Sequence, residues 1–452
     1  MAVKFSVTPD EVFPAIEKWM LRDGYDIVVD MEKSKGSHII DARTGDDWLD
    51  FYTFFASAPF GMNHDALNND EFKEKIFRAA INKVANSDIY TLEMGEFVKT
   101  FSEVAVPEGF KHLFFVDYGT LAVENAFKVA MDWKVNKLIA KGKITEGDAI
   151  AGVKGTKIIH FNEAFHGRGG YTLSVTNTAD FNKYQRFAKF TDWPRILNPK
   201  ITFPVEEHIH ITEWLEEQAI KQITKVLADD PDGHCAIIIE TIQGEGGDNH
   251  FRTEFLKKLK EICDANEMML IFDEVQCGMG ISGKMWAWQY HVAPDIFAFG
   301  KKSQICGIAV GPKVDEVKNN CFTVSSRINS TWGGTVVDMV RSTKYLEIYR
   351  DQNVLDYVSG TAGPALINGL EELRREFPDF ICNVRGKGLM CAFDIKTAEL
   401  RAKFLAECSK KHMLILPCGT RTVRFRPALN VPLEDISRGI AIAREAAKTS
   451  FK

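Results

Sequence analysis

The sequence predicts an α/β fold, in which a mostly parallel sheet is covered by helices on both faces. Amphipathic helical stretches, for example 213–227, lie between short apolar runs in the middle of the chain. Continuous apolar strands that alternate with helices favour a parallel sheet, because both faces of such a sheet are buried. The runs that predict the strands are HLFFV (112–116), KIIHF (157–161), AIIIE (236–240), MMLIF (268–272) and DIFAF (295–299).

The two ends of the chain predict a second, smaller domain. A chain of 452 residues exceeds what one core usually organises. After about residue 335 a long helical region (338–376) precedes short strand-like segments and a final helix from Leu433, which is an α+β pattern. A strand–turn–strand signal surrounds Gly45, and we expect this head to pack with the tail. The predicted division is an N-terminal segment (1–60), a large domain (61–335) and a small C-terminal domain (336–452).

Charge and composition argue against several classes of partner. The chain has 56 basic and 62 acidic residues, a net charge of −6, and no long run of one sign that would follow a phosphate backbone. No stretch reaches the roughly 18 uninterrupted apolar residues that a membrane helix needs, and the first twenty residues lack a continuous apolar segment. The nine cysteines form no C-x-x-C pair, so neither a disulfide framework nor a metal site is predicted. We expect a cytoplasmic protein that binds neither nucleic acid nor membrane, with reduced, buried thiols.

Polar residues at the ends of the predicted strands are the candidates for chemistry, since ligands of α/β sheets bind at the carboxyl ends of the strands. Asp273 follows one apolar run, and Lys301 and Lys302 follow another. Gly119 and Thr120 lie where a strand gives way to a helix, whose N-terminal N–H groups attract phosphate. Each feature alone is more often structural or solvated. Together, an amine, a carboxylate and a phosphate anchor meet the needs of pyridoxal 5'-phosphate.

Two segments carry a family resemblance. LIFDEVQCGMGISGKMWAWQ (270–289) and PDIFAFGKKS (294–303) resemble the class III aminotransferases of fold type I in order and spacing. The resemblance covers essentially the whole chain and implies a large domain that binds pyridoxal phosphate and a smaller domain formed by both chain ends. Further segments, including FHGRGG, IQGEGGDNHFR and TVRFRP, resemble members that transfer the terminal amino group of L-lysine to 2-oxoglutarate.

The resemblance implies roles for the cofactor-binding residues. Lys301 would form the Schiff base with the cofactor, while Lys302 would face away, because neighbouring residues near a strand end point to opposite sides. Asp273 would pair with the pyridine nitrogen and keep it protonated. A homodimer is implied as well. The remaining roles would fall to Val275 and Phe165 on the two faces of the ring, Gln276 at the ring hydroxyl, Gly119 and Thr120 at the phosphate, and Ser330 and Thr331 at the phosphate of the neighbouring subunit's cofactor.

Three residues are implied for substrate binding. Arg168 would hold the carboxylate remote from the reacting carbon, and Arg424 the carboxylate beside it in a dicarboxylate substrate. Glu245 would neutralise Arg424 when lysine, which has no second carboxylate, occupies the site. A surface role for Arg168 and a purely structural salt bridge between Arg424 and Glu245 remain alternatives. His166 is interpreted as a packing or hydrogen-bonding residue.

Three positions depart from the usual family pattern: Tyr118 before the phosphate-binding glycine, Thr241 after Glu240, and Val84. A different amine substrate, such as ornithine or 4-aminobutyrate, is the main alternative function, because such enzymes share the cofactor residues. An aminomutase would need no external oxo acid. A non-catalytic regulator that binds pyridoxal phosphate would need a DNA-binding module, and the sequence contains no recognisable one.

Overall fold

A central sheet of seven strands organises the molecule, which is described here by a computed structural model covering residues 6–451. The α/β prediction is confirmed, and each of the five apolar runs coincides with a strand to within two residues. The strands are β1 (His38–Ile40), β2 (Asp47–Asp50), β3 (His112–Val116), β4 (Lys157–Phe161), β5 (Arg195–Ile196), β6 (His234–Glu240), β7 (Met269–Asp273), β8 (Ile296–Phe299), β9 (Cys306–Val310), β10 (Ile381–Lys387), β11 (Met390–Ile395), β12 (Met413–Leu414), β13 (Leu416–Cys418) and β14 (Thr422–Phe425).

The central sheet has the strand order β3-β9-β8-β7-β6-β4-β5. Neighbours from β8 to β5 pair in parallel, whereas β9 is antiparallel to both β8 and β3. The carboxyl ends of β3, β4, β6, β7 and β8 therefore meet at one edge. The sequence analysis did not predict β9, which contains Gly307, a residue type that is depleted in strands. Gly307 is nevertheless required here, since a Cβ on it would lie 2.4 Å from the carbonyl oxygen of Phe114.

Both faces of the sheet are buried, as expected for parallel strands. Along β6, Ile237 and Ile239 pack into one hydrophobic cluster, whereas Ala236 and Ile238 pack into the other. This alternation follows from the two-residue period of a strand. The strands read as continuous apolar runs because a helical layer covers each face.

Helices cover the sheet and form most of the C-terminal region. The predicted helical region 338–376 is interrupted at Asn353, whose φ of 48° is left-handed, and by a π-helical turn at Val358–Ala362. No helix among residues 6–451 is both long and apolar enough to cross a membrane. The α-helices are Val12–Glu17, Asp70–Ile81, Leu92–Val104, Gly119–Ala140, Glu146–Ile150, Gly170–Ser174, Val205–Asp229, Thr253–Ala265, Val336–Asp351, Val354–Tyr357, Gly363–Glu376, Ala398–Lys410 and Leu433–Ser450.

Two small sheets lie outside the central one. An antiparallel sheet has the order β10-β11-β14-β13, and a second sheet has the order β1-β2-β12. In the second sheet β12, from the tail, pairs in parallel with β2, from the head, and Met413 lies opposite Leu49. The two ends of the chain are thus joined by backbone hydrogen bonds. The domain boundaries near residues 60 and 335 stay a prediction.

Candidate active site

A cavity of about 860 Å³ opens at the carboxyl edge of the central sheet. Its size is that of a site for a small molecule or cofactor. It brings together eight of the predicted cofactor- and substrate-binding residues, from four different strand ends and the loops beside them. Those eight are Gly119, Thr120, Phe165, Arg168, Asp273, Val275, Gln276 and Lys301.

Lys301 supplies the amine of this cavity. It follows β8 after Gly300, and its Nζ donates a hydrogen bond to the carbonyl oxygen of Phe55 at 3.2 Å. Burial, together with the positive charge of Arg424, lowers the pKa of Lys301 to about 8. A lysine with a depressed pKa is neutral more often near neutral pH, and the neutral amine is the nucleophile.

Lys302 has a different environment, although it is the next residue. Its side chain is buried outside the lining of the cavity, and its Nζ donates to the carbonyl oxygens of Gln276 (2.8 Å) and Ala56 (3.4 Å). Burial and the charge of Lys301 lower the pKa of Lys302 to about 7. The geometry therefore offers Lys301 and not Lys302 to a molecule in the cavity.

The two lysines contact a left-handed turn that the sequence did not predict. Residues Thr53–Ala56 have φ values of 42°, 51°, 58° and 63°, and none of them is glycine. Such a conformation costs roughly 1–2 kcal/mol per residue. Asp50 holds the turn by accepting hydrogen bonds from the N–H groups of Tyr52 and Thr53, both at 2.8 Å. The turn aims its last carbonyl oxygens at the two ammonium groups.

Asp273 is the last residue of β7, and its carboxylate is 4% exposed. Its Oδ2 lies 2.8 Å from Nδ1 of His166, while Oδ1 accepts a hydrogen bond from the N–H of Val275 at 3.0 Å. These contacts fix the carboxylate at the wall of the cavity. They also agree with the interpretation of His166 as a hydrogen-bonding residue.

Glu240 is a cavity residue that the sequence analysis did not select. It ends β6, and its carboxylate accepts hydrogen bonds from the N–H groups of Phe165 and Gly244, both at 2.9 Å. Burial raises the pKa of Glu240 to about 7. The sequence could have indicated Glu240, because it is the acidic residue at the end of the apolar run AIIIE, just as Asp273 is the acidic residue after the apolar run MMLIF. Glu240 positions both the aromatic residue Phe165 and the loop that carries Glu245.

The start of the helix Gly119–Ala140 forms the anion-binding part of the cavity. Its N-cap residue, Tyr118, makes no side-chain capping bond, so the first N–H groups remain available to an anion. A Cβ on Gly119 would lie 3.0 Å from Cγ1 of Val275. Tyr118 is 68% exposed and lines the cavity. The Thr120 hydroxyl lies 2.6 Å from that of Thr172.

Arg424 and Glu245 form an ion pair beside the cavity. Arg424, on β14, is 2% exposed and donates to Oε2 of Glu245 at 2.7 Å and to Oε1 of Gln276 at 3.1 Å. Burial opposes ionisation of Glu245, but the charges of Arg424 and Lys183 prevail and lower its pKa to about 2. Arg168 is exposed at the cavity wall. The cation of Arg168 thus lies at the cavity wall. A second cation, Arg424, lies beside the cavity and is already neutralised by Glu245.

Ser330 and Thr331, like Glu245 and Arg424, are predicted site residues that do not line this cavity. Both lie in the loop before the helix Val336–Asp351, and Thr331 is exposed. The carbonyl oxygen of Thr331 accepts a hydrogen bond from the Ser87 hydroxyl at 3.2 Å, and that of Trp332 from the N–H of Asn86 at 3.3 Å. Their predicted contact with a neighbouring subunit's cofactor stays a prediction.

Other notable positions have structural explanations. Thr241 is buried, and its hydroxyl donates to Oε1 of Glu274 at 2.5 Å. Trp286 and Trp288 are buried in the core. All nine cysteines are unpaired, and each is buried except Cys382, which is partly exposed. Among residues 6–451, no group of three or more His, Cys, Asp or Glu side chains is arranged to hold a metal ion.

The donor set fits pyridoxal phosphate. A helix start with free N–H groups suits the phosphate, the fixed carboxylate of Asp273 suits a protonated pyridine nitrogen, and the amine of Lys301 suits an aldehyde. Val275 and Phe165 line the same cavity and supply apolar surface for a ring. Fold and site together are those of a fold type I enzyme that uses pyridoxal phosphate.

Comparison with known proteins agrees. The family model described as aminotransferase class-III matches residues 20–446, and the chain belongs to this family. The L-lysine-epsilon aminotransferase of Mycobacterium tuberculosis is 44% identical over 97% of this chain and 96% of its own. The enzyme of that name from Streptomyces clavuligerus is 42% identical over 95% of this chain and 92% of its own. The solved lysine aminotransferase from M. tuberculosis superposes with a TM-score of 0.94, at 44% identity, over 98% of this chain and 100% of that one.

Proposed function

We propose that this protein transfers the ε-amino group of L-lysine to 2-oxoglutarate, giving 2-aminoadipate 6-semialdehyde and L-glutamate. The observation that carries the proposal is the full-length likeness, at 42–44% identity, to proteins named L-lysine-epsilon aminotransferase. The residues around the cavity support the proposal. Arg168 is a cation that could hold one substrate carboxylate, and Arg424, which Glu245 neutralises, could hold a second.

Pyridoxal phosphate, when bound, supplies the aldehyde that takes up the amino group and the electron-poor ring that stabilises negative charge on the substrate carbon. Asp273 would hold the proton on the ring nitrogen, and His166 keeps that carboxylate oriented. Lys301 would anchor the cofactor through its amine and, once released, would serve as the base that removes a proton from the substrate carbon. Val275 and Phe165 would hold the ring between them, and Gln276 would reach its hydroxyl.

The two half-reactions require different carboxylate contacts. Lysine places its one carboxylate on Arg168 when its terminal amine reacts, and Arg424 stays paired with Glu245. 2-Oxoglutarate places its distal carboxylate on Arg168 and the carboxylate beside the reacting carbon on Arg424, which Glu245 must release. The ion pair at 2.7 Å supports this division of roles, since it neutralises Arg424 in the absence of a second carboxylate.

We propose further that the enzyme is a homodimer in which Ser330 and Thr331 reach the cofactor phosphate of the neighbouring subunit. The segment 86–87 that holds this loop continues into exposed apolar residues, among them Ile89, Tyr90 and Leu92, which are 70–75% exposed. An exposed apolar patch of this kind marks an interface. A cytoplasmic location also belongs to the proposal, and the unpaired cysteines support a reducing compartment.

An assay of the purified protein with 2-oxoglutarate and L-lysine, L-ornithine or 4-aminobutyrate as the amine tests the substrate proposal. We expect glutamate to form with lysine at a kcat/KM at least tenfold above that with ornithine. Faster turnover of ornithine or 4-aminobutyrate would contradict the proposal and favour another ω-aminotransferase. When 2-oxoglutarate is left out, we expect no glutamate to form.

A further inference from the structure

Glu245 lies between two cations, and one of them, Lys183, has no role in the reaction described so far. Oε2 of Glu245 accepts from Arg424, whereas Oε1 accepts from Nζ of Lys183. The side chains of Glu245 and Lys183 are only 19% and 17% exposed. The carboxylate is therefore shared between a cation beside the cavity and a cation on a different segment.

Lys183 is held in place by its own segment. It ends the 3₁₀ helix Phe181–Lys183, and the next residue, Tyr184, is buried and donates its hydroxyl proton to the carbonyl oxygen of Thr178 at 3.2 Å. Nζ of Lys183 also lies 5.9 Å from the centre of the Phe165 ring, which lines the cavity. Its other acidic neighbour, Asp180, is 3.9 Å away and half exposed, so it is a weaker partner.

Release of Arg424 by Glu245 would cost free energy if it left the buried carboxylate without a cation, and the contact with Lys183 prevents this. When a substrate carboxylate pairs with Arg424, Glu245 loses one of its two cations while it remains largely buried. A buried carboxylate without a partner is strongly unfavourable. A carboxylate that turns about its contact with Lys183 stays ion-paired throughout, since each cation holds a different oxygen.

We propose that Lys183 is a positioning residue that keeps Glu245 paired while Glu245 releases Arg424, and that it thereby favours binding of dicarboxylate substrates over monocarboxylate ones. The inference rests on the proposed function, in which only the oxo acid half-reaction needs Arg424 free. Lys183 touches neither substrate in this proposal and acts through Glu245. Its loss leaves Arg424 as the sole cation of Glu245 and strengthens the neutralised state.

Binding of two unreactive acids to the holoenzyme tests the proposal. Glutarate has two carboxylates and needs both Arg168 and Arg424, whereas hexanoate has one and needs only Arg168. In Lys183→Met we expect the Kd of glutarate, measured by calorimetry, to rise about tenfold, or about 1.4 kcal/mol. The Kd of hexanoate should change less than twofold. Equal changes for the two acids would overturn the proposal.

Three further variants separate the proposal from a general structural effect. Arg186→Met removes a positive charge from an exposed residue in the same segment and should leave both Kd values within twofold of the original. Lys183→Arg keeps the charge and should restore most of the glutarate affinity. In a Glu245→Gln background, Lys183→Met should no longer discriminate between the acids. Persistence of the tenfold effect in that background would overturn the assignment.

The half-reactions provide an independent readout. Single-turnover rates with 2-oxoglutarate should show a higher half-saturating concentration in Lys183→Met, with a smaller effect on the lysine half-reaction. If the unaltered protein fails to turn over lysine, the proposed function falls, but the glutarate and hexanoate comparison still decides the role of Lys183.

Discussion

Glu240 and Asp273 lie directly opposite each other at the ends of neighbouring parallel strands, and both carboxylates face one cavity. Their contacts differ. Glu240 accepts two backbone N–H groups and has a pKa raised to about 7 by burial, whereas Asp273 contacts His166. Asp273 is thereby suited to the cofactor nitrogen, and Glu240 to bracing the loops of Phe165 and Glu245.

The adjacent lysines provide the first prediction. Lys301→Ala should fold and bind pyridoxal phosphate without a covalent link, because Lys301 alone of the two lines the cavity. Lys302→Met should retain the link, although loss of its buried hydrogen bonds should lower the free energy of unfolding by about 1–3 kcal/mol. Borohydride reduction followed by peptide mass analysis locates the attachment. Cofactor trapped on residue 302 of the unaltered protein would refute the assignment.

The pH dependence of cofactor loading is the second prediction. The ammonium form of Lys301 is not nucleophilic, so the rate at which apoprotein forms the covalent link should fall as pH drops through about 8. Arg424 lowers this pKa and Glu245 raises it. The midpoint should therefore move up in Arg424→Met and down in Glu245→Gln, as followed by absorbance. Shifts in the same direction for both variants would contradict this electrostatic explanation.

The third prediction concerns the helix start. Gly119→Ala places a Cβ 3.0 Å from Cγ1 of Val275, which must then shift within the wall of the cavity. Overpacking of this kind costs about 1–3 kcal/mol, and we expect the Kd of pyridoxal phosphate to rise about tenfold in equilibrium dialysis. Gly147→Ala is the matched control, because its Cβ would meet only ordinary contact, at 3.6 Å from the Thr145 hydroxyl. Equal affinities in the two variants would argue against a phosphate at Gly119.

The substrate carboxylates give the fourth prediction. Arg168→Ala should weaken both half-reactions, because each substrate places a carboxylate there, by about 2–3 kcal/mol for a lost charge-assisted pair. Arg424→Ala should damage chiefly the 2-oxoglutarate half. Glu245→Ala should penalise lysine, because Arg424 is then uncompensated. Single-turnover kinetics of each half separates these effects, and equal losses in both halves for Arg424→Ala would refute the division of roles.

The fifth prediction concerns assembly. Sedimentation should show a homodimer, and mixing the inactive Lys301→Ala chain with an inactive chain altered at Thr331 should restore partial activity, since one mixed site then has both residues intact. A mixture of Lys301→Ala with Lys301→Met serves as the control and should stay inactive. A fully active monomer would contradict the proposed interface.

Much of the fold was predictable from local pattern. The five buried strands were predictable because parallel strands are apolar on both faces, and the final helix begins at the predicted Leu433. The strand β9 was not predictable from propensity, because Gly307 fits there only through close contact with Phe114. The break at Asn353 was also not predicted, although asparagine is one of the few residue types that adopt a left-handed backbone readily.

By itself, the sequence determined the α/β architecture, because a strand buried on both faces is a continuous apolar run. It also determined which chemical groups lie at the strand ends, because polar residues follow the apolar runs. Only the tertiary structure decided that His166 meets Asp273 and that residues 53–56 form a left-handed turn whose carbonyl oxygens contact both lysines. It also decided that Glu245 is shared by Arg424 and Lys183, residues 241 positions apart in the chain. Such contacts depend on through-space distance and burial, and neither quantity is encoded in local periodicity.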